Sequence, residues 1–134
     1  ITGRKMKLSL TGRLGLVIDG TGKDYDKIKG QVDLLRSIGY SVHMIFVNTD
    51  LETALERNKQ RPRSIEDVLV KKMWKAVQNN IGKFQGLFRN RMIVVDNSTG
   101  SNIEKATMIA YKGIMTWAKK PPENKIAQKW IKSQ

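Results

Sequence analysis

From Leu14 to Gly22 the chain reads Leu14-Gly15-Leu16-Val17-Ile18-Asp19-Gly20-Thr21-Gly22. An uncharged apolar run closes on an acid and then on two glycines flanking a threonine. Such a run bounded by turn residues predicts a buried strand that ends in a glycine-rich turn. A helix is expected next, because Tyr25, Ile28, Val32 and Leu35 recur on one face while Lys27, Lys29 and Asp33 fall off it. Gly39 is placed to end that helix, since it takes the left-handed conformation at little cost.

Outward from this unit the same alternation continues. Ser41–Val47 is short, β-branched and aromatic, which predicts a second strand stopping at Asn48. Thr49-Asp50-Leu51-Glu52 has the capping-box form and opens a helix through Ala54, Leu55 and Asn58 towards Arg61, where Pro62 stops it. Ser64 opens another helix, with Ile65, Leu69, Met73 and Val77 at spacing four and an end near Phe88. Met92–Val95 predicts a third strand, ending at Asp96-Asn97. Ser101 caps a last long helix, with Ile103, Thr107, Ala110, Ile114 and Trp117 on one side and Pro121-Pro122 beyond it. A helix between successive strands implies parallel pairing. The expected fold is therefore α/β in three layers, a mainly parallel sheet flanked by helices.

The chain has 134 residues, 40% of them hydrophobic and 28% charged, which suits one globular domain. It has no cysteine and one histidine, His43, which excludes disulfide scaffolds and thiolate metal sites and disfavours a histidine-based centre. His43 alternates with apolar neighbours and reads as a packed residue. Trp74, Trp117 and Trp130 read as core or interface residues. No apolar run approaches the roughly 18 residues needed to cross a bilayer and no leader pattern is present, so the expectation is a cytoplasmic protein without a membrane partner. The formal net charge is +13. It concentrates in residues 57–91, with ten basic groups against Glu66 and Asp67, and in residues 119–134, with five lysines against Glu123. Clustering of this kind favours a polyanionic partner, a nucleotide's phosphates or a nucleic acid.

Ligands of open parallel sheets bind beyond the carboxyl ends of the strands. Those ends are expected at Asp19-Gly20-Thr21, Asn48-Thr49 and Asp96-Asn97. Asp19 can hold Mg²⁺ through water, accept a proton from a hydroxyl, or simply cap the next helix. Thr21 and Lys23 can bind substrate oxygens beside glycines that let a ligand approach the backbone. Arg57 and Arg61 are four apart and share the C-terminal end of a helix, where they suit its dipole. Together with Arg63 they also suit phosphate oxygens, which guanidinium groups bind in pairs.

The order and spacing of Leu16–Gly22, Ile38-Gly39-Tyr40, Ala54–Arg61 and Val94–Asn97 resemble P-loop kinases of the zeta-toxin-like group, including versions common in phages. The resemblance covers residues 12–118. It implies transfer of the γ-phosphoryl of ATP, with Mg²⁺, to a small hydroxyl-bearing acceptor. By resemblance Asp19 is the base or metal-side acid and the tentative indirect Mg²⁺ site. Thr21 and Lys23 are the acceptor-side positions, with lysine where many relatives have arginine. Arg57 and Arg61, with Arg63 nearby, are arginines of a lid spanning about residues 57–90, and Asp96 and Asn97 lie towards the nucleotide base. Residues 1–120 would form the C-terminal part of the kinase domain, and residues 121–134 a basic tail able to meet nucleic acid.

The P-loop itself, G-x-x-x-x-G-K-[ST], is absent from the sequence. Thr21-Gly22-Lys23-Asp24 has Gly-Lys without the first glycine or the closing hydroxyl. In the family that loop follows the first strand, upstream of all these motifs. Ile1 is therefore expected to be an internal start, and the chain alone to have little or no kinase activity. The segments at 14–18 and 41–47 are expected either to pair directly or to leave a gap where the missing strand belongs. The competing expectation is a basic α/β module that binds nucleic acid and does no chemistry.

Overall fold

The computed structural model describes residues 3–134. Ile1, expected above to be an internal start, lies outside them. The described chain combines six helices with a two-stranded parallel sheet. In order these are α1 (Gly3–Thr11), α2 (Tyr25–Ser37), β1 (Met44–Asn48), α3 (Leu51–Lys59), α4 (Asp67–Phe88), β2 (Met92–Asp96), α5 (Ile103–Lys119) and α6 (Lys125–Lys132). A short 3₁₀ turn, Arg89–Arg91, joins α4 to β2.

β1 and β2 pair in parallel from Met44↔Met92 to Asn48↔Asp96. Phe46 points from β1 into the core formed with Val32, Phe84 and Phe88. Phe84 has no exposure, and the rings of Tyr25, Phe46 and Phe88 tilt around it at centroid distances of 5.5, 6.1 and 6.4 Å. Tilted aromatic contacts at these separations add to the value of the buried area. Ile93 has the opposite parity to Phe46 in the paired register, and its Cδ1 fills the space beside Gly113 of α5. The bare Cα of Gly113 lets α5 come this close to β2.

α2 begins and ends as its residues require. The Asp24 carboxylate accepts from the backbone N–H of Lys27 at 3.0 Å. At the other end Gly39 has φ +104°, the N–H of Gly39 donates to Arg36 O, and that of Tyr40 donates to Leu35 O. These two bonds make a Schellman closure.

Several expectations are corrected. Residues 14–18 form no strand: they run irregularly, and Val17 is 87% exposed. A strand exists only through its ladder, and no described segment pairs with this one, so Leu14, Val17 and Ile18 stay exposed. α1 was not foreseen; it buries no side chain and has no apolar stripe to announce it. Helix caps fall elsewhere. Asp50, not Thr49, caps α3 and accepts from Thr53 N at 2.7 Å, while the Thr49 carbonyl accepts from the Trp74 indole at 2.8 Å. Asn102, not Ser101, caps α5, because the Ser101 hydroxyl donates to Ser98 O and Asp96 O. α4 starts after Glu66, whose side chain makes no cap bond, and Ser64 lies outside it. The inward face of α4 carries Val77, Asn80, Phe84 and Phe88, whereas Leu69 and Met73 are exposed.

Candidate functional site

The edge of β1 away from β2 has no strand partner among the described residues. Ile45 and Val47 stand exposed there, Val47 at 56%. Facing that edge across a cleft of about 480 Å³ is the Ile18–Asp24 loop, and the floor is formed by Val32, Leu35 and Phe88. Residues 14–18 do not pair with β1, and the expectation of two strands that either pair or leave a gap fails because 14–18 forms no strand.

Asp19, Thr21 and Lys23 all line this cleft and all are exposed. Asp19 does not cap α2; Asp24 does. The loop that carries these three residues is held from the core. Asn80 of α4 is 6% exposed, and its amide nitrogen donates to Gly22 O and Lys23 O, both at 3.0 Å. Gly22 sits at φ +72° against Phe46 and Phe84, in a conformation that disfavours any side chain. Next to it Gly20 has open space where a Cβ would stand. The loop is therefore anchored at Gly22-Lys23 and open at Asp19–Thr21. Sequence reasoning passed over Asn80. A lone asparagine inside an apolar helical face is its signal, because a buried amide must find partners.

The arginines lie on a separate structure. Arg57 lies in the last turn of α3, and Arg61 and Arg63 project from the turn between α3 and α4. Asn58, itself buried, clasps that turn: its Nδ2 donates to Ile65 O at 2.7 Å and its Oδ1 accepts from Ile65 N at 3.1 Å. A side-chain amide here pairs with the backbone as a neighbouring strand would. The result is a closed loop presenting Lys59, Arg61 and Arg63 to solvent. None of Arg57, Arg61 or Arg63 lines the Asp19 cleft.

The carboxyl ends of β1 and β2 are stitched together. Asn97 N donates to Asn48 O at 2.8 Å, Asp50 N to the Ser98 hydroxyl at 2.8 Å, and Thr99 N to the Thr53 hydroxyl at 2.9 Å. Gln78 donates to the Asn48 side chain at 2.7 Å. Asp96 accepts from Ser98 N at 3.0 Å, and hydrogen bonds from Ser98 hold its carboxyl below the usual range. Asp50 is held low as well, first by the Thr53 N–H and in smaller part by the positive charge of Arg57. Asp96 is exposed and Asn97 half-buried. Neither lines the Asp19 cleft.

Among the described residues no three His, Asp or Glu side chains converge to cage a metal. Mg²⁺ on nucleotides needs no such cage, since one carboxylate, water and phosphates suffice. The exposed Asp19, beside the open space at Gly20, fits that modest donor set. No helix is long and apolar enough to cross a membrane among the described residues. No family model, curated protein or solved structure matches the chain.

Proposed function

We infer that this chain is the nucleotide-binding and acceptor-side part of a three-layer P-loop kinase that phosphorylates a small hydroxyl-bearing acceptor. One observation carries this: the edge of β1 that has no strand partner among the described residues shares a cleft of about 480 Å³ with Asp19, Thr21 and Lys23. A strand set into that cleft would pair with β1 and be covered by Val32, Leu35 and Phe88. Its carboxyl end would then lie among the three loops at Asp19, Asn48 and Asp96. A phosphate cradle belongs at that point.

The chain's own residues then have distinct tasks. Thr21 and Lys23 hold the acceptor so that its hydroxyl faces the γ-phosphorus. Asp19 takes the hydroxyl proton as the acceptor oxygen bonds to phosphorus and the bond to the ADP oxygen breaks. Arg57 and Arg61, with Arg63, neutralise charge on the phosphoryl oxygens, where electrostatic stabilisation contributes most. Asn97 contacts the nucleotide's base side. Asp19 would hold Mg²⁺ through water, and the ion would supply further charge compensation on the phosphates of ATP.

Without a cradle and its lysine, most of that stabilisation is missing, so the 134-residue chain alone is expected to turn over little or no ATP. An ADP-release assay on the purified chain tests this. Robust turnover that disappears in Asp19→Asn would overturn the inference.

A second function, nucleic-acid binding without catalysis, is favoured by a different observation. Among the described residues only Lys29 and Arg91 pair with a carboxylate. Lys71, Lys72, Lys75 and Lys83 therefore leave the exposed side of α4 unneutralised. Binding of that kind weakens steeply with salt, whereas ATP binding depends on Mg²⁺, Arg57 and Arg61.

A further inference from the structure

α6 does not trail from the fold; it is fastened to the opposite end of the sheet from the candidate phosphoryl site. Asn124 caps α6 by accepting from Ile126 N and also donates to Arg36 O at 3.1 Å. Gln128 donates to Pro122 O at 3.1 Å. A Cβ built on Gly39 would come within 3.1 Å of Ala127 N, so only glycine at the end of α2 lets α6 lie this close.

Beside that close docking the surface opens into a cleft. A cavity of about 560 Å³ lies among Arg13, His43, Arg91, Trp117, Lys120 and Trp130. Sites for small molecules commonly span about 300–1,000 Å³ and are lined by aromatic groups with a few placed polar ones. His43 and Arg91 each directly precede a strand, Met44–Asn48 and Met92–Asp96, so the cavity opens at the amino ends of β1 and β2. A five-residue strand separates it from the loops proposed above for phosphoryl transfer.

The lining has two components. The first is flat and aromatic: Trp117 stacks on His43 at a centroid distance of 4.3 Å and 25°, and Trp130 stands across the cavity, 39% exposed. The second is cationic. Arg13, Arg91 and Lys120 face a single acid, Glu123. Glu123 is already engaged with Arg91 at 3.0 Å. Arg13 is held over the Trp130 ring at 5.7 Å and donates to Ile38 O. Lys120 has no carboxylate partner among the described residues. Burial and then the Arg91 charge lower the His43 pKa, so at neutral pH the positive charge of the lining comes from Arg13, Arg91 and Lys120.

From this we propose that the cavity between α5, α6 and the amino ends of the strands binds a small planar aromatic anion. The ring lies against the indoles of Trp117 and Trp130, and its anionic group meets Lys120 and the free edge of Arg91. Two compound classes share this chemistry, nucleoside monophosphates and aromatic carboxylates. The site meets the Asp19 cleft only at His43, which lines both, and it uses none of the proposed phosphoryl-transfer loops.

Tryptophan emission of a Trp74→Phe chain, in which Trp117 and Trp130 are the remaining reporters, tests this directly. Titrants are AMP, indole-3-carboxylate, adenosine and inorganic phosphate. Calorimetry on the unsubstituted chain repeats the titrations without the substitution. The expected result is saturable binding of AMP or of indole-3-carboxylate, whichever source the site accepts. Adenosine, which lacks the charge, and phosphate, which lacks the ring, should each bind at least tenfold more weakly. Lys120→Ala and Trp130→Leu should each weaken the preferred anion at least tenfold with unchanged circular dichroism, and Arg57→Ala should leave it unchanged. Any of three results overturns the proposal: no saturable binding of either anion, equal binding of adenosine, or undiminished affinity in Lys120→Ala. Loss of binding in Arg57→Ala also overturns it, by placing the ligand at the other end of the sheet.

Discussion

Replacing Asn80 by alanine probes the buried hydrogen-bonded link between the core and the loop bearing Asp19. The Asn80 amide donates to two backbone carbonyls, Gly22 O and Lys23 O, both at 3.0 Å. Each such bond contributes about 0.5–1.5 kcal/mol net, so losing both costs about 1–3 kcal/mol. With a urea m-value of about 2 kcal/mol/M for a domain of this size, the midpoint should fall by about 1 M with m unchanged. Amide exchange should accelerate from Gly20 to Asp24 more than in the core strands, because the loop loses its local tether. Asn80→Asp sharpens the test, since it preserves shape but turns the donor into a carboxylate facing two carbonyl oxygens. Its folded-state pKa must be raised, so the stabilising protonated form is retained at low pH and lost as pH rises through that pKa. Measured against the parent chain, Asn80→Asp should therefore be more destabilised at pH 7 than at pH 4. A midpoint shift below about 0.2 M for Asn80→Ala would refute the anchoring role. So would equal penalties for Asn80→Asp at the two pH values.

Other outcomes follow from the same geometry. Asn58→Ala should open the turn between α3 and α4 and speed tryptic cleavage at Lys59, Arg61 and Arg63, measured as initial rates under native conditions. Gly39→Ala combines a left-handed φ with the 3.1 Å approach of α6 and should cost about 1–2 kcal/mol or more in chemical denaturation. The carboxyls of Asp50 and Asp96 are both held low, so their contribution is present above the ordinary carboxylate pKa and lost as pH falls through the lowered values. Asp50→Asn should flatten the acid limb of the stability profile while keeping a cap on α3. If a Mg²⁺-dependent ATP complex forms, Arg57→Ala with Arg61→Ala should weaken it at least tenfold in a fluorescent-nucleotide titration.

Parts of this fold were legible because local chemistry and tertiary context agree. The Gly39 closure, the strands around Ile45–Val47 and Ile93–Val95, and the breaks near Pro62 and Pro121 all express constraints carried within a few residues. Leu14–Ile18 was misread for the opposite reason. Its apolar composition specifies burial, but burial as a strand needs a neighbour that no described segment provides. Two caps moved by one position because Asp50 and Asn102, next to Thr49 and Ser101, accept the helix N–H groups instead, while α4 starts without a side-chain cap. Asp19, Thr21 and Lys23 could be grouped from sequence because they are neighbours in it. Asn58 and Asn80 could not be assigned roles, since an amide in a helix says only that it needs partners and not where they are. The cavity under α6 was hidden more deeply. It joins Arg13, His43, Arg91, Trp117 and Trp130, residues that sequence reading treats as packing or as surface charge.

The parallel register between β1 and β2 also has a kinetic consequence. Met44 and Met92 are 48 positions apart, with α3 and α4 wholly between them. Closing a flexible loop of that length costs on the order of 3–4 kcal/mol of chain entropy before any ladder bond forms. The Asn58–Ile65 clasp spans only seven positions and folds the intervening chain into a helical hairpin. The α3–α4 hairpin therefore shortens the effective search for β2. Damage at Asn58 should appear mainly as a slower refolding rate rather than a faster unfolding rate, with a φ-value near one. By that logic Gly113, whose contact with Ile93 forms only once β2 is in place, should act on the unfolding limb instead.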